Sequence, residues 1–305
     1  MQALLDAISQ MTLPSDATRI FHGRGGLHPG CEHWTLDFYP PVLVLTSFKE
    51  VSAEDVAQVQ AALTQRLAQL APSETLNLVF QHRAERAHTQ LVCGEVPEPH
   101  VVSEQGTRYR VHVLKGQNHG LFLDMANGRQ WVRELCQAQP GMRVLNLFAY
   151  TCGFSAVALQ AGAKSVLNMD MSAGALAIGQ HNHQLNQIKS GASFAAHDIF
   201  SSWGKISRGG PYDLIIADPP SYQKGSFVAT KDYARLVKRL PDLLMHGGYA
   251  LLCLNAPELD VAFLKDNVAQ HAPELQLVQR LPNPSAFDDV SDDRALKVLI
   301  YQNVD

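Results

Sequence analysis

Residues 146–163 read NLFAYTCGFSAVALQAGA, and the fold of the chain turns on how this stretch is parsed. The apolar run MRVLNLFAY (142–150) halts at a single glycine, Gly153, and Phe154, Val157, Ala158 and Ala161 then recur at helical spacing up to Gly162. A strand feeding straight into a helix is the first half of a βα unit. A pyrophosphate-binding version of this turn needs G-x-G-x-x-G, so that backbone amides can close on the phosphates. One glycine flanked by Tyr150, Thr151 and Phe154 suits a ligand without phosphates, and S-adenosylmethionine, an adenosine carrying a methionine tail and a sulfonium, is such a ligand.

Downstream, strands and helices alternate. Strand patterns at 142–148, 165–170, 193–198, 213–218 and 249–255 are separated by helical patterns at 154–161, from Ser172 to about Ile188, and around 229–245, where Pro241 should kink or restart the helix. A helix near 126–137 precedes the first strand, and 275–281 with 294–302 make a closing antiparallel pair. Near-continuous apolar strands interleaved with helices predict an α/β fold: a Rossmann-like, seven-stranded, doubly wound sheet buried on both faces. Upstream, HWTLDFYPPVLVLTSFK alternates, Ser52 and Asp55 form a capping box for a helix over 53–71, and TLNLVFQHR, HTQLVCGEV and TRYRVHVLK resume strand pattern. The expected division is a small α+β domain over residues 1–115, serving substrate recognition, and a ligand-binding domain over 116–305.

The composition narrows the function classes. The 305 residues are 46% hydrophobic with net charge −4. The N-terminus lacks the basic, then apolar, layout of a signal peptide, and no apolar run approaches the ~20 residues of a membrane span, so a cytoplasmic protein without membrane contact is expected. Cys31, Cys93, Cys136, Cys152 and Cys253 are widely spaced with no CxxC pair, which predicts reduced, mostly buried thiols and no metal. His181 and His183, at i and i+2, point to different faces of a helix and read as surface residues. Residues 1–100 carry six Lys/Arg against eleven Asp/Glu, and the remainder 19 against 18. No domain is strongly basic, so a nucleic acid would have to meet a local patch, for which Arg108, Arg110 and Lys115, with Arg129 and Arg133, are the candidates.

In a doubly wound sheet, ligands bind beyond the carboxyl ends of the strands. Those ends carry Asn146 to Gly153, then Asp170, Asp198, and the run Asp218-Pro219-Pro220-Ser221-Tyr222. Asp170 lies 17 residues beyond Gly153, about where an acidic side chain accepts the hydroxyls of a bound ribose. Asp198 is placed to receive an adenine amino group. In DPPSY the two prolines fix φ and remove two N–H groups, holding the Asp218 carboxylate and its neighbouring carbonyls toward a ligand on which Tyr222 stacks.

NHGLFLDMANGRQWV, VLNLFAYTCGFSAVAL, DIF and YDLIIADPPSYQKGSF together resemble the class I methyltransferases that modify bacterial large-subunit rRNA, a family with cytosine-C5 and guanine-N7 enzymes. The resemblance spans about residues 100–260. It implies S-adenosylmethionine as cofactor and rRNA as partner, with Phe122, Asp124 and Arg129 near the cofactor. Asn146, Phe148, Tyr150 and Gly153 would frame its methionine and ribose, with Asp170 and Met171, then Asp198 and Ile199, toward ribose and adenine. Asp218, Pro219, Pro220 and Tyr222 would be catalytic, and Ser221, Tyr222 and Lys224 would meet substrate; Lys224 and Lys231 flank the mouth. The cytosine-C5 branch requires a thiolate just after the fifth strand, whereas Cys253 here sits inside the apolar run LLCLN, as a core residue would. Direct transfer to a nitrogen is therefore the expected chemistry. Cytosine-C5 transfer, a protein or small-molecule nitrogen target, and a non-enzymatic RNA-binding assembly factor are the alternatives. A dehydrogenase shares Asp170 but lacks the glycine fingerprint. Oligomeric state is not legible.

Overall fold

The computed structural model describes residues 1–85, 87–220, 222–223 and 227–304. The chain divides into two compact units, Met1–Leu123 with Pro284–Ser291, and Asp124–Asn283 with Asp292–Asp305.

In the first unit, helix α1 (Gln2–Gln10) leads to strands β1 (Thr18–His22), β2 (Trp34–Tyr39) and β3 (Val42–Ser47), then helix α2 (Ala53–Leu70) and strands β4 (Asn77–His82) and β5 (His88–Cys93). The sheet runs in chain order, antiparallel except for the parallel β3–β4 pair, whose crossover is α2. Every second residue of the central strands, among them Trp34, Leu36, Leu45, Leu78 and Phe80, meets Leu4, Ile8, Val59 and Leu63 of the two helices. The capping box forms as expected, with Asp55 N donating to Ser52 Oγ at 3.1 Å and Ser52 N to Asp55 Oδ2 at 3.1 Å. The end of this unit departs from expectation. Strand β7 (Thr107–Val111) stops well short of Lys115 and pairs with an unforeseen β6 (His100–Glu104). Gln105 and Gly106 between them both take positive φ, 48° and 81°, as the tight hairpin turn demands, but Gln-Gly lacks the Asn-Gly signal that would have announced it.

The second unit is the doubly wound sheet. Helix α3 (Ala126–Ala138) precedes β8 (Arg143–Leu147), α4 (Gly153–Gln160), β9 (Ser165–Asp170), α5 (Ala173–Leu185), β10 (Ala192–Ala196), α6 (Trp203–Gly209) and β11 (Tyr212–Ala217). The ribbon β12 (Tyr222–Gln223) with β13 (Phe227–Val228) follows, then α7 (Ala229–Val237), α8 (Leu240–Leu243), β14 (Leu244–Leu254), α9 (Val261–His271), β15 (Leu275–Leu281) and β16 (Lys297–Asn303). Pro241 lies in the first turn of α8 and divides it from α7, as expected of a residue that cannot continue a helix. The strand order β10-β9-β8-β11-β14-β16-β15 has seven strands, with β16 antiparallel to both neighbours.

Alternation along the strands builds the two faces. Leu145, Leu147, Ile215, Ala217, Leu252 and Leu254 pack against α7 and α9, while Val144, Val166, Leu214, Ile216, Leu251 and Cys253 pack with α3 and α4. The chain proceeds from β8 outward through β9 and β10, then returns to start β11 on the other side of β8. The β8/β11 junction is thus the switch point, where doubly wound sheets bind their ligands.

Candidate active site

Register determines which residues meet at the switch point. Ala217 pairs with Leu147 and with Leu252, and Leu147 pairs with Met169. One step further along each strand, Phe148, Asp170, Asp218 and Cys253 therefore stand at one level along the carboxyl edge.

The β8–α4 turn does not use its glycine as the sequence suggested. Gly153 is the first residue of α4, and the left-handed backbone falls instead on Phe148 (φ 56°), Tyr150 (φ 46°) and Cys152 (φ 60°). Each non-glycine residue in that region costs on the order of 1–3 kcal/mol, so the turn must be held from outside. Ala149 N donates to Met169 O at 3.0 Å, Tyr150 N to Asp170 Oδ2 at 2.8 Å, and Asn182 Nδ2 to Thr151 O at 2.9 Å. Gly179 of α5 lets that helix lie against the turn, since a Cβ there would sit 2.5 Å from Cys152 Sγ and 2.9 Å from its Cβ. Nothing in the local sequence around Gly179 announces a contact 27 positions away.

Asp170 is the other wall. Oδ2 accepts from Tyr150 N, and Oδ1 accepts from Ser172 N at 2.8 Å. Each carboxylate oxygen has a second acceptor site, so the group is held rigidly with capacity left for two hydroxyls. That pair of acceptors fits the two hydroxyls of a ribose.

Beneath the turn lies a buried polar chain. Asn146 Nδ2 donates to Asn168 Oδ1 at 2.9 Å, and Asn168 Nδ2 donates to Ser155 Oγ at 2.9 Å. His183 Nδ1 lies 2.7 Å from Gly179 O, an acceptor only, so Nδ1 carries the proton. Burial lowers the pKa of His183, the ring is neutral, and its Nε2 accepts from Ser155 Oγ at 2.8 Å. The surface placement expected for His183 is thereby corrected: it is 4% exposed, while His181 is indeed exposed. Asn146, expected to frame a ligand, has its amide committed to this chain.

Asp218 follows β11 directly and is electrostatically the most perturbed acid at this edge. Burial, and after it the Asp124 carboxylate, push its pKa up to about 7; the Cys253 thiol, hydrogen-bonded to it, and the Arg129 guanidinium pull the other way. Burial and then the Asp218 carboxylate raise the Cys253 thiol well above its ordinary value, and Tyr233 Oη donates to the Cys253 carbonyl. Cys152 is raised too, by burial and by Asp170. All five cysteines are free and four are buried, Cys93 being half-buried. Arg129 is 4% exposed, which removes it from the surface patch proposed for it and sets it beside Asp218. Behind Asp218 the rings of Phe148, Phe227, Phe200 and Tyr233 pack at centroid distances of 5.3 to 6.2 Å.

Of the remaining expected residues, Asp198 lies two positions past β10, half-buried, its Oδ1 accepting from Phe200 N at 3.2 Å, and Ile199 is buried. Met171 is 50% exposed beside Asp170; Phe122, 40% exposed, belongs to the first unit. Pro219 is buried and Pro220 half-buried. Ser221, Lys224 and the side chain of Tyr222 lie outside the described residues. Sequence reasoning missed Lys297, whose buried Nζ donates to Ala256 O, Leu259 O and Asp293 O at 2.9, 2.7 and 2.6 Å, pinning the loop after β14. Among the described residues no His/Cys/Asp/Glu group could hold a metal, and no helix is long and apolar enough to cross a membrane.

Known proteins share this architecture. A methyltransferase from Streptococcus mutans superposes with TM-score 0.82 at 22% identity, covering 99% of this chain and 81% of that one; a second structure of equal TM-score, 23% identical, is a complex with S-adenosylhomocysteine. At such identity the likeness establishes the fold alone. Ribosomal RNA large subunit methyltransferase I of Aeromonas salmonicida is 31% identical over 226 residues, 71% of this chain and 56% of that protein. Ribosomal RNA large subunit methyltransferase K/L of a Psychrobacter species is 35% identical over 176 residues, 55% of this chain and 21% of that protein. The chain spans about half the length of the first of these relatives, or less. A family profile described as S-adenosylmethionine-dependent methyltransferase matches residues 18–302, nearly the whole chain. With a glycine-poor turn and an Asp170 suited to a ribose, the chain belongs to the S-adenosylmethionine-dependent methyltransferase family.

Proposed function

We propose that the chain methylates a nucleobase nitrogen of large-subunit rRNA by direct in-line transfer, with no covalent link between enzyme and base. The relatives named above as rRNA methyltransferases support the substrate class. The observation that carries the chemistry is the state of the thiols: the Cys253 proton is engaged by Asp218, and burial holds both Cys253 and Cys152 protonated. A cytosine-C5 route needs a thiolate to add to the ring, and a nitrogen lone pair needs none.

S-adenosylmethionine supplies a methyl group already activated on a sulfonium. The protein's part is then orientation and proton handling. In this reading Asp170 and Met171 receive the ribose, Asp198 and Ile199 the adenine, and Asp124 and Arg129 line the cofactor side. The Asp218 carboxylate and the carbonyls of its Pro-Pro turn accept N–H bonds from the target, and Tyr222 stacks on the base. An exocyclic amine that gains a methyl must shed a proton, and a carboxylate with a pKa near neutrality is matched to take it. Mapping rRNA modifications in cells with and without the gene tests the proposal: one N-methyl mark should vanish from the large subunit, and an unchanged map would sink it.

A further inference from the structure

We infer that the outer face of α6 and α7 is the docking surface for the phosphate backbone of the RNA substrate. The inference rests on the RNA reading above and says where the RNA is gripped, which the first hundred residues, with eleven acids to six bases, leave open.

Residues 200–243 carry seven Lys/Arg against four Asp/Glu in a chain whose net charge is −4. Lys231 and Arg235 on α7 and Lys238 at its C-cap fall at i, i+4 and i+7, one exposed stripe opposite the buried Tyr233, Leu236 and Val237. The acid on α7, Asp232, does not neutralise it fully. One oxygen of Asp232 accepts Val228 N at 2.9 Å at the helix start, and the other meets Arg235 at 2.7 Å. On α6, Lys205 and Arg208 are exposed at i and i+3. Among the described residues, Lys205, Arg208, Lys231 and Lys238 make no ion pair.

Aromatic rings join the two helices and pre-shape the cations. The Arg235 guanidinium lies 4.3 Å above the Phe200 ring, that of Arg239 lies 5.6 Å above Trp203, and Phe200 and Trp203 meet at 6.0 Å. A stacked guanidinium has less rotamer freedom to lose on contact; both are already part-paired, Arg235 Nη1 with Asp232 at 2.7 Å and Arg239 Nη1 with Asp242 at 3.7 Å, so the lysines and Arg208 carry most of the grip. Arg235 is 60% exposed in this arrangement. The helix begins where the β12–β13 ribbon after Asp218 ends, so the stripe runs away from the acceptor side of the site.

The test is the triple variant Lys205→Ala, Arg208→Ala, Lys238→Ala, assayed with in vitro transcribed large-subunit rRNA between low and moderate salt. Removing three phosphate contacts should lower the slope of log affinity against log salt by about 2 and raise the KM for RNA roughly tenfold or more, the loss falling on KM rather than kcat. The melting temperature checks the fold. If wild type methylates RNA and the variant shows the same KM and salt slope, the surface is wrong and the proposed function stands. If wild type neither binds nor methylates RNA, both fall; binding of polyglutamate in that case would mark the face as one for an acidic protein.

Discussion

Replacing Cys253 with alanine separates nitrogen from carbon chemistry. In the structure the thiol is a donor to Asp218, so its removal costs that carboxylate one hydrogen bond. Bonds to charged acceptors contribute roughly 1.5–3 kcal/mol, and a thiol is a weak donor, which sets the loss near 1 kcal/mol. At ~1.4 kcal/mol per pKa unit, the Asp218 pKa of about 7 should rise by about half to one unit. Asp218 must be ionised to take the proton of the target amine, so kcat/KM rises with pH through that pKa, and the acid limb of Cys253→Ala moves to higher pH by the same amount. Losing Sγ from a fully buried site also destabilises the fold by about 1 kcal/mol or somewhat more. Methyl transfer to rRNA across pH 5 to 9, with cofactor binding by calorimetry, reads all of this. A folded, cofactor-binding variant with no turnover at any pH would refute the reasoning and assign Cys253 a covalent role.

Asp218→Asn should abolish transfer yet stabilise the protein. The folded pKa lies above the unfolded one, so stability that is full only below the unfolded pKa of ~3.9 falls as pH rises and is gone above about 7; the amide recovers roughly 1–3 kcal/mol at pH 8, seen as a higher melting temperature there and a smaller gain at pH 5. Gly179→Ala drives a Cβ into Cys152; the overpacking, about 1–3 kcal/mol, should weaken S-adenosylhomocysteine binding by roughly 5- to at most 150-fold in titration calorimetry. Adding Cys152→Gly, which removes Sγ and suits the left-handed φ of 60°, should restore most of it, and simple additivity would contradict the contact. Ser155→Ala strands His183 Nε2 and one of the two Asn168 Nδ2 protons, the other still reaching Ser193 O at 3.3 Å, and should cost about 1–3 kcal/mol in denaturant unfolding.

The strand-end acids and the helix starts were legible because each is encoded locally. An apolar run that ends in Asp170 or Asp218 reads the same in the chain as in the sheet, and Ser52 caps α2 within one turn. The switch point followed from the alternation of strands and helices. What escaped the sequence depends on contacts between distant segments. Gly179 looks like a weak spot in a helix until Cys152 is placed against it. His183 and Lys297 look like surface residues because their type favours water; only the buried acceptors brought to them, the Gly179, Ala256 and Leu259 carbonyls, reverse that preference. The scarcity of glycine in the turn is visible in the sequence, but what replaces it, three non-glycine residues in left-handed conformation held by β9 and α5, depends on the neighbouring elements.

The central claim is methyl transfer to a nitrogen of an rRNA base, and the most direct test is chemical. Purified protein is incubated with S-adenosylmethionine carrying an isotopically labelled methyl group and unmodified large-subunit rRNA; the RNA is then digested to nucleosides and the labelled product identified by mass spectrometry. The account predicts one labelled nucleoside with its methyl on a base nitrogen, formed by wild type and by Cys253→Ala. Label on carbon-5 of cytosine, formed by wild type and lost in that variant, would contradict it.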